Sequence, residues 1–412
     1  MASDRRNFLK TMAVSPLMSA DIDAQELTRH TPGSTYDVAV IGAGVFGSWS
    51  AHHLQAAGKK VILLDAYGAS NARASSGGES RIIRMGYGAD EIYTRSSKRS
   101  LELWKDFFQR TGNPLFHQTG VLWLARENND TVPNTERILT KHGVRHEKLS
   151  QRELEKRFPQ MWFGDVAWGL FEPDSGALLA RRAVQAVVRD AISRGADYLP
   201  EPVAAPSGNG RITSVTTRSG TRIDAGVFVF ACGPWLAKVF PAVLGNRIFP
   251  TRQEIFFFGS RPGDRRYAPP AMPAWIDVRD LYGIPDLENR GFKIANDNHG
   301  PAFDPDLGDR FVTKDQIEEM RKRVGERFPG LKDAPLVESR VCQYENSSNG
   351  DFLVDLHPGM DNVWLVGGGS GHGFKHGPAV GEYVAARVQG QGTAEPRFSL
   401  ASKGTEQKRS VF

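Results

Sequence analysis

Residues 36 to 65 read YDVAVIGAGVFGSWSAHHLQAAGKKVILLD, and no other stretch restricts the fold so strongly. Val38 to Ile41 is a short apolar run of the kind found in a parallel strand buried on both faces. Gly42, Gly44 and Gly47 follow in G-x-G-x-x-G spacing, with Val45 and Phe46 inside the turn. A helix with Trp49, Ala51 and Leu54 among its apolar positions then runs towards Gly58, and Val61 to Leu64 forms a second strand closed by Asp65. The spacing has a physical meaning. Gly42 allows a tight turn, Gly44 lets a pyrophosphate touch the backbone, and Gly47 lets helix and strand pack closely. The helix N-terminus offers free N–H groups and a partial positive charge to phosphates. Asp65 is placed to accept hydrogen bonds from ribose hydroxyls. The unit predicts a dinucleotide-binding fold, and an acid at position 65 argues against a 2′-phosphate and hence against NADP.

A second glycine-rich turn lies far down the chain. Val363 to Val366 leads into Gly367, Gly368, Gly369, Gly371 and Gly373, interrupted by Ser370 and His372 and followed by Phe374 and Lys375. A helix-like segment, AVGEYVAARV, begins at Ala379. Glycine permits close approach of a large group to backbone N–H donors, which suits a flat ring system and its ribityl chain. FAD is long enough to use both turns, with its adenosine at the first and its isoalloxazine at the second. An NAD enzyme would leave the late turn without a cofactor role, and its purified protein would lack yellow colour.

Composition limits the remaining classes. A chain of 412 residues can build two domains with real cores. Its 52 basic and 47 acidic residues leave a net charge of +5 without a long basic stripe, so nucleic acid is not an expected partner. No apolar run reaches the ~18 to 20 residues that a membrane helix needs. Two cysteines, Cys232 and Cys342, make neither a disulfide scaffold nor a metal cluster, and Cys232 reads as a small core residue. Residues 1–35 are set apart from the fold. Arg5, Arg6, Phe8, Leu9 and Lys10 resemble a twin-arginine export signal, a route for folded, cofactor-loaded proteins. A disordered basic tail is the other reading, so periplasmic and cytoplasmic locations both stay open.

Four separated stretches carry a family resemblance. The opening unit, SSGGESRIIRMGYG from Ser75, FEPDSGALLARRAV from Phe171 with VFVFACGPW from Val227, and CQYENSSNGDFLVDLHP through GGGSGHGFKHGP occur in this order. Together they resemble the monomeric sarcosine oxidase and N-methyltryptophan oxidase group of the D-amino-acid-oxidase-like flavoproteins. The resemblance implies an α/β fold: a discontinuous Rossmann-type FAD-binding domain (36–115, 176–245 and 338–395), a mostly antiparallel-sheet substrate domain (116–175 and 246–337), and a tail at 396–412. It implies that Cys342 forms a thioether to the flavin 8α carbon, chemistry suited to a soft thiolate nucleophile. It places Lys293, in the strand-like GFKIA, beneath the flavin ring as a promoter of reaction with O2, where a fixed cation stabilises developing superoxide. Arg84 and Lys375 are the implied binders of a substrate carboxylate, one as a planar fork and one as a point charge. Tyr282 and Tyr344 fall near the substrate. Arg81 falls near the ring, and Ser75, Ser76, Val203, Gly369, Gly371, His372, Gly373, Phe374 and, in a second role, Lys375 complete the cofactor set.

The sequence also departs from that pattern. Asp297 stands where the family keeps a histidine four residues after the lysine, with His299 two places on, and Ser76 and Gly77 replace two histidines. Asp277, Asp286, Glu288 and Asp297 either favour a cationic or polyhydroxylated substrate or face solvent. The expected reaction is oxidation of the C–N bond of a carboxylate-bearing secondary or primary amine, with O2 as acceptor, by a monomer or weak oligomer. A flavin dehydrogenase serving a quinone or carrier protein, and a catalytically diverged flavin-binding protein, are the alternatives.

Overall fold

The computed structural model describes residues 28–408, so the twin-arginine stretch lies outside the described residues. The strand Thr35–Ile41 sits inside a seven-stranded sheet, paired in parallel with Arg222–Phe230 on one side and Val61–Leu64 on the other. Met360–Gly367 is the next parallel neighbour beyond Arg222–Phe230, and Asp197–Leu199 lies beyond Val61–Leu64. The two glycine turns therefore leave the same edge of one sheet, at the C-terminal ends of strands separated by a single intervening strand. This is where open parallel sheets bind ligands.

The helices after the two turns also meet. Val45–Ala56 packs against Gly377–Val388. Gly377 and Gly381 lie one turn apart on the later helix, where a Cβ would run into Val45 and Trp49, so the late helix lies directly on the early one. Trp49 is in turn packed edge-on against Trp104 of the long helix Glu91–Thr111.

A second sheet of eight strands runs Leu336–Ser347, Ile248–Phe258, Phe292–Asn296, Leu281–Ile284, Ala274–Asp277, Val121–Ala125, Trp168–Glu172 and Glu147–Ser150. Every pairing in it is antiparallel except that of Ala274–Asp277 with Val121–Ala125. Its register collects the residues singled out above. Ile248–Phe258 places Gln253 opposite Cys342 and Thr251 opposite Tyr344, and on its other side Phe257 opposite Lys293. Lys293 is opposite Ile284 in the following strand, two residues from Tyr282. A three-stranded sheet, Arg81–Ile83, Gly176–Leu178 and Phe116–His117, adds the strand that carries Arg81. The architecture is a mixed α/β fold of parallel and antiparallel sheets, as expected. No helix among the described residues is long and apolar enough to cross a membrane.

Candidate functional site

A channel of about 540 Å³ runs along the C-terminal edge of the parallel sheet, within the usual range for small-molecule sites. Asp65, Glu201 and Val203 line it, as do the first turn at Gly42, Gly44, Val45 and Phe46 and the late turn at Gly369, Gly371 and Gly373. Arg81, Ser75, Ser76, Tyr344 and Phe374 complete the stretch of wall contributed by predicted residues. Gly47 serves from behind, where a Cβ would meet Gly42 and Ala231. Gly42 has φ +108° and Gly371 φ +80°; a side chain at the first would strike the Ala231 carbonyl, and at the second the Tyr344 ring. Both turns are thus closed to anything but glycine.

The polar groups of the first turn are braced by side chains. One Asp65 oxygen accepts from the Ala43 N–H at 2.7 Å and the other from the Tyr67 N–H at 2.9 Å, while burial raises the Asp65 carboxyl above its ordinary range. Ser76 Oγ accepts from the Val45 N–H at 3.0 Å, which gives this serine a task where the family pattern has a histidine. Ser75 Oγ donates to the Gln343 carbonyl at 2.8 Å, tying the loop to the strand that carries Cys342.

Glu345 also lines the channel, and the sequence reading missed it. It is buried, its Oε1 has no hydrogen-bond partner, and burial pushes its carboxyl up to about 8. The carboxyl accepts from the Gly368 and Gly369 backbone N–H groups, but a buried oxygen without a partner is costly unless a ligand supplies one. With the glycine cradle it makes the channel fit a long cofactor rich in hydroxyl and phosphate groups, which is what FAD is. Cys232 is a correction: it does not sit inside the core but half-buried in the channel wall, its Sγ 3.6 Å from the Ile41 carbonyl.

One end of the channel is cationic. Arg81 lines it and donates to the Ser75 carbonyl at 2.6 Å and the Ser80 carbonyl at 2.8 Å, with Nη2 3.5 Å from Cys342 Sγ. Cys342 is buried one side chain behind that wall. Lys293 is 1% exposed and donates to the same Ser80 carbonyl at 2.9 Å. Burial, reinforced by Arg81, lowers the Lys293 ammonium to about 7. Tyr282 lies under Lys293, its ring centroid 5.9 Å from Nζ, and burial raises its phenol to about 12.

The two proposed carboxylate binders, Arg84 and Lys375, meet through a residue that the sequence reading did not single out. The Arg84 guanidinium lies 4.2 Å from the Tyr87 ring centroid and 4.7 Å from that of Trp123. Lys375 Nζ donates to the Tyr87 hydroxyl at 2.8 Å and to the His372 carbonyl at 2.9 Å. The backbone after Arg84 is fixed by Glu172 of the FEPDSG stretch. This fully buried carboxylate accepts from the Met85 and Gly86 N–H groups, Trp123 Nε1 and Ser175 Oγ, at 2.6 to 3.1 Å. Arg84 in turn donates to the Gly86 carbonyl. His372 turns its ring away from the channel, stacked on Phe352, with Nε2 3.0 Å from the Gly350 carbonyl.

The four acids of the 274–297 region have separate fates. Asp277 faces neither solvent nor ligand: it is buried against Arg126 at 2.7 Å and Arg327 at 3.0 Å. Asp286 accepts from the Gly291 N–H at 2.9 Å in a turn, and Glu288 pairs with Arg182 at 2.8 Å on the surface. Asp297 alone of the four contacts a channel-lining residue, accepting from the Tyr344 hydroxyl at 3.3 Å.

A family model described as FAD dependent oxidoreductase matches residues 37–387. The monomeric sarcosine oxidase of Streptomyces avermitilis is 32% identical over 372 residues, covering 88% of this chain and 96% of that protein. An N-methyl-L-tryptophan oxidase of Salmonella heidelberg is 28% identical over 383 residues, covering 89% and 97%. Among solved structures, the L-proline dehydrogenase of P. horikoshii superposes with a TM-score of 0.76 at 23% identity, covering 90% of this chain and 98% of that one. The nucleotide turn, the channel and these matches lead to one assignment: the chain belongs to the FAD dependent oxidoreductase family, in its sarcosine oxidase-like group.

Proposed function

We propose that the protein oxidises the C–N bond of an amine bearing a free carboxylate, a sarcosine-like or N-methyl amino acid, and passes the electrons to O2. The observation that carries the reading is a group of cations beside the channel: Arg81, which lines it, shares the Ser80 carbonyl with the buried Lys293, and Arg84 and Lys375 both contact Tyr87. FAD supplies the hydride acceptor and later the reductant of O2. Asp65 and the first glycine turn hold its adenosine and pyrophosphate end, and the late turn with Arg81 and Tyr344 holds its ring. Arg84 takes the substrate carboxylate as a fork and Lys375 as a point charge. Cations at the site also favour the neutral amine, the form able to give up hydride. Lys293 stabilises the negative charge that develops on oxygen. The imine product hydrolyses in water. Cys342, whose Sγ lies 3.5 Å from Arg81 Nη2, is the proposed thioether position.

The domain division given above is part of this proposal, and so is the reading of the Arg5–Lys10 stretch as an address for export of the folded, loaded protein. The test is a panel of N-methyl and primary amino acids with peroxide readout, run on protein whose visible spectrum is recorded before and after acid precipitation. Peroxide formed only with carboxylate-bearing amines supports the reading. Reduction of the flavin without peroxide sinks the oxidase assignment in favour of a dehydrogenase.

A further inference from the structure

Glu345 is tied to the late glycine turn through its backbone and its side chain. The Ser370 N–H donates to the Glu345 carbonyl at 2.8 Å, and the Gly368 and Gly369 N–H groups face its carboxyl. Gly367 leaves room for that carboxyl, since a Cβ there would strike Oε1. The residue is 6% exposed and lines the channel, and Oε1 has no hydrogen-bond partner. Burial pushes the carboxyl up to about 8; the two N–H groups oppose this, and among the described residues no cation does.

Glu345 also stands between the two turns. It acts electrostatically on the Cys232 thiol, which lies 3.6 Å from the carbonyl of Ile41, the residue that precedes the first turn. A cofactor that reaches from one turn to the other passes Glu345 with its middle portion. In FAD that portion is the ribityl chain and the diphosphate. It offers hydroxyl and phosphate oxygens, and the phosphates are anionic and only accept. An ionised acid with no cation beside it repels such a group, whereas a protonated acid has an O–H to give. We propose that Glu345 is a cofactor-binding residue that works as a protonated acid, backed by the late turn and donating its O–H to the ribityl–diphosphate portion of FAD. Loading of the cofactor is then linked to a proton: affinity is full while the carboxyl of the flavin-free protein keeps its proton, and falls as pH rises above about 8. Of the groups around it, Cys232 is itself kept protonated by burial. The late turn from Gly367 to Gly371 and the paired strand positions Phe249 to Thr251 carry no titratable side chain. Asp65 and Lys238 are charged groups elsewhere on the channel wall. The inference concerns cofactor loading and does not depend on which amine or electron acceptor the enzyme uses.

The experiment uses the full chain with Cys342→Ser, in which no thioether can form. The protein is stripped of flavin and titrated with FAD at pH 7 and pH 9, with binding read from flavin fluorescence. The expected result is a Kd that rises roughly tenfold at pH 9, the factor for one pH unit beyond a single titration. Adding Glu345→Gln, which always carries an N–H donor and cannot titrate, is expected to keep the affinity seen at pH 7 and to remove this rise. Titration of Asp65, Lys238 and the other channel groups is common to both proteins. Adding Glu345→Ala is expected to weaken binding at pH 7 by about 5- to 10-fold, the loss of one net hydrogen bond. The same pH dependence with and without Glu345→Gln overturns the proposal, and so does equal weakening by glutamine and alanine, which would leave Glu345 a packing role only. Infrared difference spectra of FAD-bound minus free protein at pH 9 give an independent readout. A protonated-carboxyl band that appears on binding and is missing in Glu345→Gln supports the donor, and its absence overturns it.

Discussion

The Ser80 carbonyl is shared by Arg81 Nη1 at 2.8 Å and Lys293 Nζ at 2.9 Å, two cations on one acceptor. Neither has a carboxylate within ion-pair distance among the described residues. Such an arrangement weakens the proton affinity of the lysine, and burial plus Arg81 lowers it to about 7.

Two consequences concern Lys293. Lys293→Met removes the charge at similar volume, and reoxidation by O2 is expected to fall about 10²- to 10³-fold, the usual cost of deleting one preorganised electrostatic group, while anaerobic reduction by amine persists. In the wild type the cation is lost as pH rises through about 7, so reoxidation slows above that value. Lys293→Met is expected to abolish this dependence. Stopped-flow reoxidation across pH 6 to 9 checks both.

Arg84 stacks on Tyr87 and Trp123 and donates to the Gly86 carbonyl. Arg84→Ala is expected to raise KM for carboxylate substrates by about 100-fold, in line with the loss of a charge-assisted fork, with a smaller effect on amines lacking a carboxylate. Glu172→Gln is expected to move KM in the same direction but less, because it loosens the Met85–Gly86 backbone that Glu172 holds. Steady-state kinetics on matched substrate pairs decides both.

Glu345 predicts a stability effect of known sign. In the folded flavin-free protein its carboxyl stays protonated to about 8, against an ordinary value of 4.5. Between those values the folded state binds more protons than the unfolded chain, so stability falls as pH rises. Glu345→Gln cannot titrate. The flavin-free variant is expected to gain on wild type from pH 4.5 to 8, by on the order of a few kcal/mol at the upper end, with the difference fading at the lower end. Urea unfolding at the two pH values measures it.

Cys342 Sγ lies 3.5 Å from Nη2 of Arg81, which lines the channel. Acid-precipitated wild-type protein is expected to stay yellow, and Cys342→Ser to release its flavin to the supernatant. Absorbance of the two fractions distinguishes them, and a colourless wild-type pellet rules the bond out.

The first glycine turn, the strands on either side of it and Asp65 were readable because their meaning is local. Turn geometry, helix dipole and strand pattern all act within one βαβ unit. The late turn was readable for the same reason, as a run of residues that only close backbone approach requires. What joined them was decided in three dimensions. The parallel order Met360–Gly367, Arg222–Phe230, Thr35–Ile41 sets both turns on one sheet edge, and no local pattern encodes strand order. Buried charges escaped the sequence for a similar reason. Asp277, Glu172 and Glu345 look alike as letters, yet one is paired with arginines, one holds a loop by four donors and one lines the channel with an oxygen left unpartnered. The task of an acid is fixed by which groups share its low-dielectric surroundings, and those partners come from strands and loops remote in the chain.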